Sequence, residues 1–152
     1  LARGLISALH PPMLDALGMM PTLKWYAVEF SRMTGIASHV DLCPEVRSSK
    51  ERNAALFRVV QEALTNVARH AEASRVSIQA CEEDDKLVIE ISDNGKGLPE
   101  GMLHNKANDS GSFGLIGMRE RAQYMQGDLD ISSVPGRGTT ITVSVPLTSK
   151  GP

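Results

Sequence analysis

Asp93 closes an alternating apolar run, Leu87, Ile89 and Ile91, and is followed at alternate positions by Gly95 and Gly97. A carboxylate at the end of a buried strand can accept a hydrogen bond from an amino group, and ionised acceptors make the stronger bonds. The two glycines let the backbone turn sharply and approach a ligand closely. That combination suits a nucleotide pocket, although Asp-Asn-Gly after a strand is also an ordinary turn. Glu62, Asn66 and His70 stand one helical turn apart and stack in a column, with Arg69 inside the same arc of about 100°. The same face also reads as a solvated one with i,i+4 pairing, but an Asn in mid-helix is a poor helix former and asks for a reason. Gly111, Gly114 and Gly117 cluster at a helix start, and Gly138-Thr139-Thr140 leads into a strand.

Other chemistries fail on spacing. No glycine is followed four residues later by Gly-Lys-Ser/Thr, so the phosphate-loop motif is absent. Gly95, Gly97 and Gly101 are spaced one residue too widely for the dinucleotide fingerprint, and no helix follows them. His10, His39, His70 and His104 are scattered and give no metal-ligand spacing. No nucleophile-elbow serine is present. A formal net charge of -2 over 152 residues gives no electrostatic reason to expect nucleic acid or an anionic membrane. Aromatic residues make up only 4%, too few for base-stacking platforms. Cys43 and Cys81 are far apart in sequence and read as buried thiols of a reducing compartment. No apolar run is long enough to span a bilayer, and no signal peptide is visible. The chain opens without Met, in what reads as a helix, which leads us to expect a piece of a longer protein.

The elements that must position these residues follow from periodicity. Leu1 to Leu9 is helix-compatible and Pro11-Pro12 stops it. Met13 to Met33 reads as a helix with a boundary or kink at Pro21, ended by Gly35. Ile36 to Leu42 alternates as a strand. Ser48 or Ser49 is the N-cap expected for a helix over Lys50 to Ala71, whose apolar face is Leu56, Val60, Ala63, Leu64, Val67 and Ala71. Arg75 to Glu82 and Lys86 to Asp93 form a hairpin. Asn94 to Ser112 is aperiodic and reads as a lid or a disordered insert. A helix over Phe113 to Gln126 ends at Gly127, and strands Asp128 to Val134 and Thr139 to Pro146 follow. This order predicts an α+β, two-layer α/β sandwich with a mixed, mostly antiparallel sheet and helices on one face.

Taken together, the four groups of residues resemble, in order and spacing, the ATP-binding domain of sensor histidine kinases, in the ATPase superfamily shared with gyrase, heat-shock chaperones and MutL. The resemblance covers about Asn53 to Leu147 and implies the Bergerat-type ATP-binding fold. Gln61-Glu62-Ala63-Leu64-Thr65-Asn66-Val67-Ala68-Arg69-His70-Ala71 is similar to the N-box of the NarL/DesK type, whose response regulators carry helix-turn-helix outputs. Gly114-Leu115-Ile116-Gly117-Met118-Arg119-Glu120-Arg121 matches the same type. Leu9-His10-Pro11-Pro12-Met13-Leu14-Asp15-Ala16-Leu17-Gly18-Met19 is similar to the linker that follows its phosphoacceptor helices.

The resemblance implies residue roles. Asp93 accepts the adenine exocyclic amine, and Gly95 and Gly97 make room for the nucleotide. Asn66 binds Mg²⁺, with Glu62 as general base or orienter of a metal-bound water. His70 faces the phosphates, with Arg69 nearby. Gly111, Gly114, Leu115 and Gly117 meet the nucleotide where a helix start presents backbone N–H groups. Thr139, or less readily Thr140, supports Asp93, and Lys106 is either a phosphate partner or a solvated lysine. The implied organisation is a linker over 1–35 and an ATP-binding domain over 36–148. The implied ligands are ATP and Mg²⁺. The implied partners are phosphoacceptor helices of the parent and a NarL-type response regulator, with no nucleic acid. The piece is expected to be a monomer, and the parent a homodimer, with the domain in the cytoplasm and a membrane-bound sensor as the candidate parent. One departure matters: the family's phosphoacceptor histidine precedes an acidic residue on a helix, whereas His10 precedes Pro11-Pro12, so the acceptor is expected elsewhere. Rival readings are an anti-sigma-factor-type serine kinase, a gyrase- or chaperone-type ATPase, and a degenerate interaction module without turnover.

Overall fold

The computed structural model describes residues 12–99 and 113–147. The expected Leu1 to Leu9 helix, Gly111, Lys106 and most of the expected lid lie outside the described residues. The elements are α1 (Pro12–Leu17), α2 (Met19–Thr34), β1 (Ala37–Leu42), α3 (Lys50–Asn66), a π turn (Val67–Ala71), β2 (Arg75–Glu83), β3 (Lys86–Asp93), α4 (Leu115–Tyr124), β4 (Asp128–Val134) and β5 (Gly138–Pro146). Among the described residues, no helix is long and apolar enough to cross a membrane.

The five strands form one sheet in the order β1-β2-β3-β5-β4. β1 runs parallel to β2, joined through α3 as a crossover, and the other pairs are antiparallel. The turn between β2 and β3 is Asp84-Asp85, both at positive φ (52° and 61°), the geometry that matches a two-residue hairpin to the strand twist. Alternation places one apolar face inward. Ile78, Ile91, Ile141 and Ile131 stand in one cross-strand row, beneath the buried Leu56, Val60, Ala63 and Leu64 of α3 and Met118 of α4. The expected sandwich, helices on one face and polar side chains on the other, is therefore what the chain builds.

Three local expectations are corrected. The N-terminal helix breaks at Gly18, not at Pro21. Pro21 sits in the first turn of α2, where its missing N–H costs no hydrogen bond. The helix expected to run to Ala71 stays α-helical only to Asn66 and then widens into the π turn. The cysteines are not two buried thiols. Cys81 is exposed, and both follow the last registered pair of the parallel ladder, Leu42 with Ala80, by one residue.

Helices α1 and α2 share one core with the sheet and α3, through Leu14, Met19, Leu23, Tyr26 and Phe30. The buried Tyr26 hydroxyl is hydrogen-bonded to the Gln61 side chain of α3, and burial pushes its pKa well above the usual phenol value. The N-terminus of α2 is held from 25 residues away. Glu45 Oε2 accepts the Met19 N–H at 3.1 Å and Oε1 accepts the Met20 N–H at 2.9 Å. A carboxylate there satisfies two donors left over by the helix and opposes the helix dipole. Glu45→Ala is expected to cost about 1 kcal/mol, read by thermal unfolding as a Tm drop of about 3 °C. An unchanged Tm would show that α2 is held by its apolar face alone.

Candidate functional site

Asp93 is the last residue of β3. Its Oδ1 accepts the Gly95 N–H at 2.8 Å, and the Thr139 N–H of β5 also donates to the carboxylate. Burial raises its pKa above the usual carboxylate value, against those two bonds, which favour the ionised form. The carboxylate lines a cleft between α3 and the sheet. The floor is Ala63, Val67, Ala71, Ile91 and Ile141, and the polar lining is Asn66, His70, Asp93 and Thr139. Gly97, Leu98, Phe113 and Leu115 complete it. An apolar slot with a few convergent polar groups is the usual form of a small-molecule site.

The segment after Asp93 is clamped from two sides. On one side, Lys96 N–H donates to Ala71 O at 2.8 Å, the carbonyl that ends the π turn. A Cβ on Gly95 would overlap that carbonyl, so only glycine allows this approach. On the other side, the β4–β5 turn holds the segment: Gly136 N–H donates to Lys96 O at 2.8 Å, and Leu98 N–H donates to Ser133 Oγ at 2.8 Å. Asn94 fixes the near end, its Oδ1 accepting both Ser74 and Arg75 N–H groups at 3.0 Å.

The helix face is divided by the π turn. Asn66 and His70 line the cleft, whereas Arg69 is exposed. Phe113 occupies the end of the cleft near them. It is buried, its ring centroid is 4.1 Å from that of His70, and its carbonyl accepts the Asn66 Nδ2–H at 2.7 Å. With Phe113 there, the cleft encloses about 30 Å³, space on the scale of water rather than of a purine. His70 Nε2 is buried without a hydrogen-bond partner. An orphaned polar atom of this kind is rare in folded proteins and marks a place where a ligand or water belongs.

The remaining expected residues fall as follows. Glu62 packs against the start of α4. A Cβ on Gly114, which is at φ +65°, would lie 2.7 Å from Glu62 Cδ, so the carboxylate sits under that helix start and not in the cleft lining. Leu115 is buried in the cleft wall, while Gly117, two residues further on, lies outside the cleft lining, where an added Cβ would be 3.3 Å from the Arg121 guanidinium. Thr139 and Thr140 part company. Thr139 lines the cleft, and Thr140 is on the opposite face, its Oγ1 2.8 Å from Ser92 Oγ. One polar residue beside the site was missed by the sequence reading: Ser133, near the end of β4, joins the β4–β5 hairpin to the segment after Asp93. Gln61, outside the cleft lining, ties α2 to α3. The signal for Ser133 was available: it follows Leu129 and Ile131 on the inward face of β4, a lone hydroxyl at an apolar register.

Residues 51–149 match the family model described as histidine kinase-, DNA gyrase B-, and HSP90-like ATPase. The chain is 40% identical over 149 residues to the signal transduction histidine-protein kinase/phosphatase DegS of Brevibacillus brevis, covering 97% of this chain and 37% of that protein. It is 38% identical over 146 residues to the histidine-protein kinase/phosphatase UhpB of Salmonella typhimurium, covering 95% of this chain and 28% of that one. The chain thus spans about a third of the length of these curated relatives. Among solved structures, the histidine kinase domain of the Erythrobacter litoralis EL346 blue-light activated kinase superposes with a TM-score of 0.72 at 21% identity, over 95% of this chain and 68% of that one. At that identity the likeness speaks for the fold alone.

Proposed function

Since the chain belongs to the family of histidine kinase-, DNA gyrase B-, and HSP90-like ATPases, we propose that it is the ATP-binding catalytic domain of a NarL/DesK-type sensor histidine kinase. In this reading the domain positions Mg·ATP for transfer of the γ-phosphoryl group to a histidine supplied by another segment, from which a response-regulator aspartate takes it. The observation that carries the reading is Asp93: a half-buried carboxylate held by the Gly95 and Thr139 N–H groups at the end of an apolar slot. Such a group accepts from an amine that lies flat in the slot, which is how adenine would present its exocyclic nitrogen.

The other end of the cleft takes the phosphates. His70 Nε2, without a partner, is available to a phosphate oxygen. Asn66 offers an amide oxygen, a hard ligand suited to Mg²⁺, and the described residues hold no cluster of three His, Cys, Asp or Glu side chains that would cage a cation without nucleotide. The residues therefore fit an ion carried mainly by phosphates and water, with one protein oxygen. Bound there, Mg²⁺ would neutralise charge on the phosphoryl group. For a nucleotide to enter, Phe113 must leave the cleft, and its departure releases the Asn66 amide.

Calorimetric titration of ATP with and without Mg²⁺, on wild type and Asn66→Ala, tests this reading. Wild type is expected to bind ATP saturably and to gain about tenfold in affinity from Mg²⁺, the worth of one hydrogen-bond-scale contact to a charged group. Asn66→Ala is expected to lose that gain and keep metal-free binding. A folded wild type that shows no saturable binding, or an Asn66→Ala that keeps the full Mg²⁺ effect, overturns it.

A further inference from the structure

Cys43 and Cys81 stand side by side where the parallel pair β1–β2 ends. The last registered pair is Leu42 with Ala80. The ladder continues one bond further, with the Cys43 N–H donating to the Ala80 carbonyl at 3.0 Å. That bond holds the backbone at ladder spacing, so Cys43 is the neighbour of Cys81 in the next step of the register. Adjacent strands lie about 4.8 Å apart, inside the Cα separation of about 4.4–6.8 Å that a disulfide spans. Cys81 is exposed and Cys43 half-buried. Burial raises the Cys43 thiol above its ordinary pKa, and the nearby Cys81 thiol and the Glu82 and Glu45 carboxylates add to the shift. Among the described residues, no group of three His, Cys, Asp or Glu side chains could hold a metal ion, so the two thiols are not part of a metal centre.

We propose that Cys43 and Cys81 are a redox-active dithiol that closes to an intrachain disulfide under a low-molecular-weight disulfide oxidant, and so fixes the loop that holds α2. The exposed Cys81 reacts first: its thiolate attacks one sulfur of the oxidant and expels the other half as a thiolate. Cys43, after losing its proton to solvent, attacks the Cys81 sulfur of the mixed disulfide and expels the second half. Two protein thiols are oxidised, one oxidant disulfide is reduced to two thiols, and the two protons shed by the cysteines end on those thiols. The bridge forms directly ahead of the connection from β1 to α3, in which Glu45 accepts the Met19 and Met20 N–H groups. It is remote from the cleft. Asp93 pairs with Val76 at the opposite end of β2, about 16 Å from Cys81 at about 3.3 Å per residue. Oxidation therefore acts on α2 and not on Asp93. Where thiols are kept reduced, a disulfide of this kind is a transient sensor and not a structural staple.

The test treats the whole chain with oxidised or reduced glutathione, on wild type, Cys43→Ser and Cys81→Ser. Intact mass, non-reducing electrophoresis, thermal unfolding and hydrogen exchange are read on each. Oxidised wild type is expected to lose the mass of two hydrogens within a single chain. It should melt about 5 °C higher, because the bridge restricts the unfolded chain. The Met19 and Met20 amides should exchange several-fold more slowly, and reduction should reverse all three changes. Cys43→Ser is expected to stop at one glutathione on Cys81, which traps the first step. Cys81→Ser, at an exposed position, is expected to form neither product and carries the comparison should Cys43→Ser fail to fold. An oxidised wild type that keeps glutathione on Cys81 without closing, or that links two copies through Cys81, overturns the proposal. A bridge that leaves the Met19 and Met20 exchange unchanged overturns its reach to α2.

Discussion

Replacing Asp93 with Asn is expected to weaken ATP binding about a hundredfold or more and yet leave the fold as stable as before, or slightly more so. The two effects separate because they arise from different states of one group. Toward the nucleotide, the carboxylate is a pure acceptor. An amide in its place can still take the Gly95 N–H on its oxygen, but its NH₂ branch then opposes either the Thr139 N–H or the adenine amine, donor against donor. Losing a charge-assisted bond and leaving a buried donor unpaired costs about 3 kcal/mol, which is about two decades in Kd. Toward the fold, burial outweighs the two N–H bonds and raises the carboxyl pKa, so the folded state holds the proton more tightly than the unfolded chain. Such a group leaves stability untouched below its unfolded pKa and lowers it progressively as pH rises through the folded pKa. At neutral pH the full cost of the buried charge is present, and Asn removes it. Calorimetry and thermal melts at neutral pH, repeated as pH is lowered into the carboxylate range, check both halves. The stability difference should shrink as Asp93 protonates, and wild-type ATP affinity should fall at a higher pH than an ordinary carboxylate would give. An Asp93→Asn protein that binds ATP like wild type would remove adenine from this end of the cleft.

How much of this could be read from the chain depends on what kind of interaction sets each feature. Period-two alternation in Leu87, Ile89, Ile91 and in Ile141, Val143, Val145, and the apolar stripe of α3, are imposed by one core, so sheet and helix were legible. The π turn was not. It sits where the Ala71 carbonyl receives the Lys96 N–H, so it is tied to a docking event between distant segments and leaves no trace in local periodicity. Pro21 misled because proline breaks a helix only beyond its first turn, and the actual break, Gly18 at φ +95°, leaves room for Glu45, whose role in holding α2 depends on the folded loop. The choice between Thr139 and Thr140 was open to argument. Ile141, Val143 and Val145 fix the parity of β5, and by that parity 139 faces inward and 140 outward, as the Thr140–Ser92 contact requires. Asp93, Asn66 and Thr139 come from three elements, and only resemblance joined them before the fold did. Nothing local marked Phe113 as the side chain that fills the cleft, since a single aromatic beside glycines looks the same in a loop.

Gly95→Ala is expected to damage both the fold and the cleft. The added methyl would overlap the Ala71 carbonyl, a backbone atom at the end of a buried turn and not the tip of a movable side chain. To relieve the overlap, the 94–98 segment must lift away from Ala71, which breaks the Lys96 N–H bond to that carbonyl and strains the bonds to Ser133 and Gly136 on the other side. Overpacking against a rigid neighbour, with a buried hydrogen bond lost, costs about 3 kcal/mol, or a Tm drop of about 9 °C in a domain of this size. The same displacement withdraws the Gly95 N–H from Asp93 Oδ1, so the fraction that stays folded should bind ATP poorly. Gly136→Ala separates this collision from the general strain of adding a side chain. Gly136 is at φ +80° in the turn that grips the same segment, yet a Cβ there meets nothing within 4 Å. Its cost is confined to the left-handed backbone, about 1 kcal/mol, and ATP binding should survive. Thermal unfolding and ATP titration of the two variants side by side decide the matter. If both lose the same stability and both bind ATP, the contact with Ala71 does not hold the site together, and the π turn has no part in placing Asp93.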